Sequence, residues 1–441
     1  MDTIKQLSAV IESARAQNAD ADIVYSGAER LSLKATDGTL SEYSVSSTQT
    51  VGVRVVCGEN VGVSYSENMS EPALQRMLTN ALNNARYTRK SPDEKISAPS
   101  LHIETDASKT CLQDQLTMAQ KTELALRLES EMQNRKIPAK APYNGLYDTT
   151  SRHMVMNSNG VQCTHTERQV ACVTSALISH DGKQSIFYGS TSARSFNDLN
   201  VTACIDDIYA NARALLDGAP IETGRYDVIF SPDCLGRVLG AFRTTLSGVA
   251  AKKELTQFRG KEGESIASAC LNLSDVPQIE GGLAYTPFDD EGYETSAKTI
   301  IRDGVLETLL HNSATANHFG LTTTGNASRS PKGQLDVSTN HLVIQAGVET
   351  DPTAGEYFEV IDLQGTHSGA NAVSGDFSFG ASGYLCRDGQ RIKPVRGVTV
   401  AHNFYALLKS IEAVGRDQSW DSQKSLLTPV VRFGDCSVSG A

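Results

Sequence analysis

The sequence predicts an α+β protein: a duplicated helix–β-meander–helix N-terminal domain, then a β-rich, mostly antiparallel C-terminal domain. Three observations predict it. In the first half, apolar residues recur at helical spacing in separate segments, with strand-like runs between them. The same order of elements appears twice before residue 218. Beyond it, strand-like runs outnumber helical ones and short turns join them, which favours antiparallel pairing over a doubly wound parallel sheet.

The opening segment, about residues 2–17, sets Ile4, Leu7, Ile11 and Ala14 on one face of a helix. Strands follow at 22–25, 31–35, 44–57 and 61–66, with turns at Asp37-Gly38 and Gly58-Glu59-Asn60. Ser70 suits the cap of the next helix and Pro72 its first turn; Leu74, Met77, Leu78, Ala81 and Leu82 form its apolar face. The second pass has a helix at 116–133, with Leu124, Leu128 and Met132 on one face. Strands at 143–147, 154–156, 162–179 and 185–188 follow, with turns at Asn159-Gly160 and Asp181-Gly182, and a helix closes it at 197–216. Gly160 follows Gly38 by 122 positions, and Asn211-Ala212-Arg213 follows Asn84-Ala85-Arg86 by 127. One duplication with a small insertion accounts for both offsets.

We place the repeats at about 1–88 and 110–218, inside an N-terminal domain of 1–218, with the C-terminal domain at 219–441. A polar linker, 90–108, carries Pro92 and Pro99; Gly, Pro and Thr cluster at the second boundary, 218–224. In the C-terminal domain, 226–230 reads as a buried strand ending at Ser231-Pro232, and 233–245 as a helix. Runs at 299–310, 341–345, 357–364 and 426–433 read as strands, with a tight turn at Asp303-Gly304. Leu407, Leu408, Ile411 and Val414 predict a late helix at 403–414.

The net charge of −11 is a poor match to nucleic acid, which needs a basic face. The short run R-Y-T-R-K at 86–90 reads as a solvated helix end. No apolar run reaches the length of about 18 residues that spans a bilayer. The opening segment lacks the continuous apolar stretch of a signal peptide. Nine cysteines with no C-x-x-C pair predict reduced thiols in a cytoplasmic protein.

Several segments carry candidate chemistry. Asp289, Asp290 and Glu291 stand between Pro287-Phe288 and Gly292. Consecutive acids at a turn suit solvent, a bound cation or the amino terminus of a peptide. Thr324, Asn326 and Arg329 can hydrogen-bond a peptide backbone or carboxylate, or form a turn whose Arg faces solvent. Five glycines at 365–383 let backbone approach backbone or a ligand, so Ser374, Asp376 and Ser378 either contact an extended peptide or belong to a loop packed on its own sheet. That stretch has no G-K-[ST], so it does not read as a phosphate loop. His311 and His318, seven apart, can share a helical face, but no third metal ligand is near them in sequence. None of the nine histidines forms H-E-x-x-H, and no Ser-His-Asp or Cys-His set is evident locally.

Four segments resemble the TldD/PmbA family, also called TldD/TldE or "modulator of DNA gyrase". They are T-P-F-D-D-E-G at 286–292, Y-D-V-I-F-S-P-D at 226–233, S-G-D-F-S-F-G-A-S-G at 374–383, and the run V-T-V-A-H-N-F-Y-A-L-L-K at 398–409 continuing to Asp417. The resemblance implies a cytoplasmic zinc metallopeptidase built from paired, related subunits. In the TldD branch an H-E-x-x-x-H motif follows the strand and its Ser-Pro; here those six positions, 240–245, read G-A-F-R-T-T. The chain therefore resembles the PmbA (TldE) branch. That implies a subunit with no catalytic residue and no metal or cofactor of its own, zinc being supplied by a TldD-like partner. It would shape a cavity for small or unfolded peptides, and Asp289, Asp290, Glu291, Thr324, Asn326, Arg329, Ser374, Asp376 and Ser378 are its candidate peptide contacts. The assembly is expected to be a heteromer with a TldD-like subunit or a homodimer, with no nucleic-acid or membrane partner. Other readings stay open: a non-catalytic homodimeric interaction protein of the gyrase-modulator type, an independent hydrolase with another site, or a homodimer recruiting metal through His311, His318 or the acid triplet.

Overall fold

Two similar passes of the chain build one sheet. The computed structural model describes residues 3–99, 102–114, 116–347 and 351–440. Residue 2 of the expected opening helix and residues 100–101 of the expected linker lie outside them. The first pass runs α1 (Thr3–Arg15), β1 (Asp20–Thr36), β2 (Thr39–Cys57), β3 (Asn60–Ser66) and α2 (Glu71–Ala85). β4 (His102–Glu104) and the single turn α3 (Ala107–Thr110) lead to the second pass. It runs α4 (Met118–Gln133), β5 (Ala139–Lys140), β6 (Gly145–Asn157), β7 (Gln162–His180), β8 (Lys183–Ala193) and α5 (Val201–Leu215). Each pass contributes a three-stranded meander. The meanders join where β1 pairs antiparallel with β6, and β4, β5 and β8 all pair with β7.

Alternation along β1 explains what covers the sheet. Ala21, Ile23 and Tyr25 pack with α1 and α2, and Leu31 and Leu33, on the same face, pack with α4 and α5. Val24, on the other face, packs with Val155, Cys163 and Phe288 of the C-terminal half. Helices thus cover one face and the C-terminal domain meets the other.

The C-terminal domain starts with β9 (Gly224–Phe230), α6 (Pro232–Phe242), a 3-10 turn at Arg243–Leu246 and α7 (Gly248–Lys252). It continues with β10 (Leu273–Val276), β11 (Lys298–Arg302), β12 (Val305–Leu306), α8 (Ser313–Phe319), β13 (Ala327–Ser328), β14 (Asp336–Val337) and β15 (His341–Ile344). It ends with β16 (Glu356–Gln364), β17 (Asp376–Arg387), β18 (Gln390–Asn403), α9 (Phe404–Lys409), β19 (Ile411–Trp420) and β20 (Leu426–Ser439). β9, β16, β17, β18 and β20 pair in a closed ring, because β20 returns to β9. Closure removes the free edges those strands would otherwise expose. The ring is filled by apolar residues that include Phe230, Phe358, Phe379 and Val438, and Phe242 of α6 stacks on Phe404 at 4.4 Å between centroids. The protein is α+β with mostly antiparallel sheets, as expected.

Four of the five Asp-Gly dipeptides form tight hairpins. Both residues have positive φ at Asp37-Gly38, Asp181-Gly182 and Asp303-Gly304, and also at Asp388-Gly389. Ser70 occupies the N-cap of α2 but makes no side-chain cap bond. Three expectations need correction. The predicted helix 403–414 stops at Lys409; Ile411 and Val414 belong to β19 and pair with Phe433 and Val431 of β20. All four marker residues are buried in one core, so their spacing reported burial rather than helix. Residues 376–383 are strand, not loop, with Phe377, Phe379 and Ala381 facing inward. Gly383 is required there, since a Cβ would sit 1.8 Å from the Glu359 carbonyl oxygen. The predicted helix 233–245 ends at Phe242.

The two domains approach closely at Gly52 of β2, where an added Cβ would lie 1.9 Å from the Pro331 carbonyl oxygen. Backbone cannot yield there as a side chain would. Gly52→Val is expected to lower stability by about 1–3 kcal/mol, the cost of overpacking. Urea unfolding checks this, and an unchanged midpoint would mean that the loop around Pro331 does not rest on the sheet.

Candidate functional site

The pairing of β1 with β2 sets Asp22 opposite Arg54, on the face that meets the C-terminal domain. Arg54 is 1% exposed and donates from Nε (2.8 Å) and Nη2 (2.5 Å) to Asp22 Oδ2, and from Nη1 to Glu94 (3.3 Å). Glu291 Oε1 lies 3.6 Å from Nη2. Arg329 Nη2, from the C-terminal domain, donates to the other oxygen of Asp22. The Arg329 backbone N–H donates to Asp290 Oδ2, and Asp290 Oδ1 lies 2.6 Å from His153 Nε2 on β6. The acid triplet therefore closes a charged network between the domains.

This is not a solvated turn: Asp289 is 2% and Glu291 1% exposed. Asp289 accepts the backbone N–H groups of Glu291 (3.0 Å), Tyr293 (2.9 Å) and Ala327 (3.0 Å). Glu291 accepts the Ser313 N–H (2.8 Å) and its hydroxyl. Asn326 Nδ2 donates to Asp275 (2.8 Å) and to the Ser338 carbonyl (2.9 Å), and Thr324 Oγ1 accepts the His311 N–H (2.7 Å). Arg329 is buried too, so it does not face solvent, and its Nε and Nη1 find no acceptor. These side chains are committed to bonds within the chain.

Burial sets their protonation. It pushes the Asp289 carboxyl up to about 8, with the Glu291 charge adding to it and three backbone donors opposing. Burial also raises Glu291, against the pull of Arg54 and Ser313. Burial disfavours the Arg54 cation, but Asp22 and Glu291 outweigh it and hold its pKa above the ordinary value. Burial lowers the pKa of Arg329 despite Asp22. It also disfavours the His153 imidazolium, yet Asp290 prevails and the pKa is raised.

The positions of the zinc motif lie elsewhere. Ser231 caps α6 by accepting the Cys234 N–H (3.3 Å), and the helix gives way to the 3-10 turn after Phe242. Gly240 is exposed, with no atom within 4 Å of where its Cβ would be. Thr245 is 1% exposed, and its hydroxyl donates to the Phe242 carbonyl (2.6 Å). The two ends of the six-residue stretch diverge, one to solvent and one to the core. Zinc needs converging imidazole, thiolate or carboxylate donors. G-A-F-R-T-T supplies none, and among the described residues no group of three or more His, Cys, Asp or Glu is placed to hold a metal. The residues do not fit the ion.

His311 and His318 do not share a face, because α8 begins only at Ser313. His311 is buried, its Nδ1 is 3.1 Å from Thr315 Oγ1, and burial lowers its pKa. His318 Nδ1 lies 3.0 Å from Asp93, which also accepts Lys252 Nζ (2.8 Å). Ser374, Asp376 and Ser378 stand apart from the acid triplet. Asp376 accepts Asn403 Nδ2 (2.9 Å), the Ser374 carbonyl accepts the same group (2.8 Å), and the Ser378 side chain is exposed.

Two adjoining clefts open between β8 and the C-terminal domain. One, of about 880 Å³, is lined by β8, α5, α6 and residues 420–425. The other, of about 790 Å³, is lined by parts of 103–112 and 277–285 together with Arg194 and Glu294. Ser192 and Lys424 belong to both. None of the nine predicted contact residues lines either cleft. The lining comes from distant segments, and its one local signal is the polar run Gly-Ser-Thr-Ser at 189–192.

Residues 223–440 match the PmbA/TldA metallopeptidase C-terminal domain, 112–216 the central domain and 21–85 domain 1. The chain belongs to the PmbA/TldD family. Metalloprotease PmbA of Escherichia coli O157:H7 is 24% identical over 93% of this chain and 90% of its own. The Metalloprotease TldD homolog of Haemophilus influenzae is also 24% identical, over 91% and 86%. The crystal structure of TldE from Thermococcus kodakarensis has the same fold, with a TM-score of 0.84 at 18% identity over 99% of this chain and 100% of that one. Relatives named PmbA and TldD are equally similar, so identity alone does not assign the branch within the PmbA/TldD family.

Two predictions test the network. Arg54→Met leaves Glu291 buried without its cation and Asp22 with Arg329 alone, and is expected to cost about 3–5 kcal/mol in urea unfolding. A loss below about 1 kcal/mol would show that the pairs are solvated. The second concerns pH. The folded His153 pKa is raised, so its stabilising contribution is complete below the unfolded value of about 6.5 and is lost as pH rises through the folded value. His153→Gln should therefore destabilise most at mildly acid pH and least at alkaline pH, measured as the difference in urea midpoint from wild type. A difference independent of pH would overturn the His153–Asp290 pairing.

Proposed function

We propose that this chain is the non-metal, PmbA/TldE-like subunit of a TldD/TldE-type zinc peptidase that processes or degrades small or unfolded peptides. The observation that carries the reading is the stretch 240–245, which has no ligand side chain and whose ends diverge. The names of the relatives support a peptidase family; the residues of this chain support a role without metal. On this reading a TldD-like partner brings zinc and the general base. This chain walls the cavity and holds substrate as an added β-strand. Strand addition engages main-chain N–H and C=O groups, which every peptide offers once unfolded, so selectivity for side chains is low. Folded proteins have those groups already paired and are spared. The nine cysteines, none of them in a disulfide, suit a reducing compartment, and we place the protein in the cytoplasm.

The test is zinc content and peptidase activity of the purified chain, alone and mixed with a TldD-like subunit. The chain alone is expected to hold substoichiometric zinc and to leave an unstructured peptide intact. The mixture should cleave it at least about tenfold faster than the partner alone, equivalent to about 1.4 kcal/mol of barrier, and a chelator should stop it. Stoichiometric metal together with cleavage by this chain alone would overturn the proposal.

A further inference from the structure

β8 is a margin of the N-terminal sheet and pairs on one side only, with β7. Its free edge runs along the floor of an open cleft, with Ile186 43% and Tyr188 44% exposed. Residues of α5 form one wall of the 880 Å³ cleft, α6 and residues 420–425 form the other, and residues 187–192 of β8 run between them. The free stretch of β2, at Tyr43 and Val45, lines none of the clefts between the domains.

The alternation of β8 accounts for both walls. Ser185 donates its hydroxyl to the Ala212 carbonyl of α5, and Gly189 lies against Ile208 of the same helix. On the opposite face the Arg237 guanidinium sits 5.7 Å from the Tyr188 ring centroid, and Ser190 Oγ is 3.2 Å from Ser422 Oγ. What remains between the walls is main chain. In an antiparallel strand the N–H and C=O of one residue point to the same side, and successive residues alternate. Gln184 points outward, since its carbonyl accepts Arg396 Nη1 (2.6 Å), and the register to β7 continues without a shift to Ala193. Ile186, Tyr188, Ser190 and Ser192 therefore point outward as well. Among the described residues no hydrogen bond engages their outward backbone groups.

We propose that this edge is a peptide-binding slot, in which an extended segment adds to the sheet as the next strand between α5 and the C-terminal domain. Only the identity of the guest as a peptide rests on the functional reading above. At about 3.3 Å per residue, the edge from 186 to 192 accepts a segment of roughly seven residues. Charges around the slot are largely spent on each other. Arg237 donates to Asp362 (3.3 Å), Arg391 to Glu359 (2.7 Å), and Asp233 accepts the Ser422 N–H (2.9 Å). Recognition therefore falls on the guest's main chain. Its side chains would alternate between Ala203 and Asp207 on one wall and Arg237 and Gln423 on the other.

The test uses the full chain and a capped, fluorescein-labelled peptide of roughly seven alternating Thr and Ser residues, read by fluorescence anisotropy. A second copy of the peptide is N-methylated on alternate amides. Methylation removes the donors of one edge and is expected to weaken binding at least about tenfold. Ala203→Trp fills the slot from an exposed position on α5, and should weaken binding by a similar factor while circular dichroism and melting temperature stay unchanged. Absence of binding by the wild-type chain, equal binding of the methylated peptide, or full binding by folded Ala203→Trp would each overturn the slot. A chain that stimulates its partner yet fails here keeps the subunit role and loses the slot. One that binds here but never stimulates a partner keeps the slot and loses the subunit role.

Discussion

The structure depends on Arg54. Its guanidinium is buried, shared between Asp22 on the neighbouring strand and Glu291 from the other domain, while Arg329 reaches back to the same Asp22. Moving any one of these charges out of register leaves another buried and unpaired, which costs several kcal/mol. An apolar interface tolerates sliding; this one does not. Backbone geometry reinforces the point, because Gly52 meets Pro331 and Gly292 meets Val161 too closely for any side chain. The network is thus better understood as a device for register than as a source of net stability.

Fixing one end of the interface has a consequence at the other. The C-terminal domain meets a single sheet face that runs through both repeats. Where the repeats join, at β1 and β6, the contact is sealed by charge pairs and by Phe288 packed on Val24 and Val155. Beneath the second repeat the domains touch through Tyr188, Ser190 and Ser422 and leave the clefts between. Because the sealed end sets the angle between the domains, the width of the open end is held by structure rather than by an occupant. A slot with fixed walls loses less ordering entropy on binding than one that must close.

Much of this fold was legible because local chemistry reported it directly. Asp-Gly suits the positive φ of a tight turn, and each such dipeptide singled out in the sequence is a hairpin turn. Amphipathic spacing located α1, α2 and α4 because each presents one face to one core. Where a segment is buried on more than one side, spacing loses its meaning. Ile411 and Val414 continue the apparent stripe of Leu407 and Leu408, yet they belong to a strand, since the same core surrounds both elements. The acids 289–291 read as a turn open to solvent, a cation or a peptide amino terminus because their partners, Arg54, Ser313 and the N–H of Ala327, lie far away in sequence or on the backbone. The edge of β8 was hidden for a related reason: an unpaired backbone group has no residue letter.

The stretch 240–245 shows how the end of α6 is held without ligand side chains. A structural zinc contributes folding energy, so a chain built around one unfolds without it. Here α6 is held instead by Cys234, Leu235, Val238 and Phe242 in the large apolar core, with Phe242 stacked on Phe404. Gly240 contacts nothing with the space its side chain would fill, and the register between the domains is set by the Arg54 network. Folding energy and motif positions are thus carried by different atoms. Residue 240 can change without moving the core, while Ala241 packs against it and Thr245 faces inward and satisfies its hydroxyl on the chain itself. That separation leaves the exposed side of the end of α6 free of any share in holding the core together.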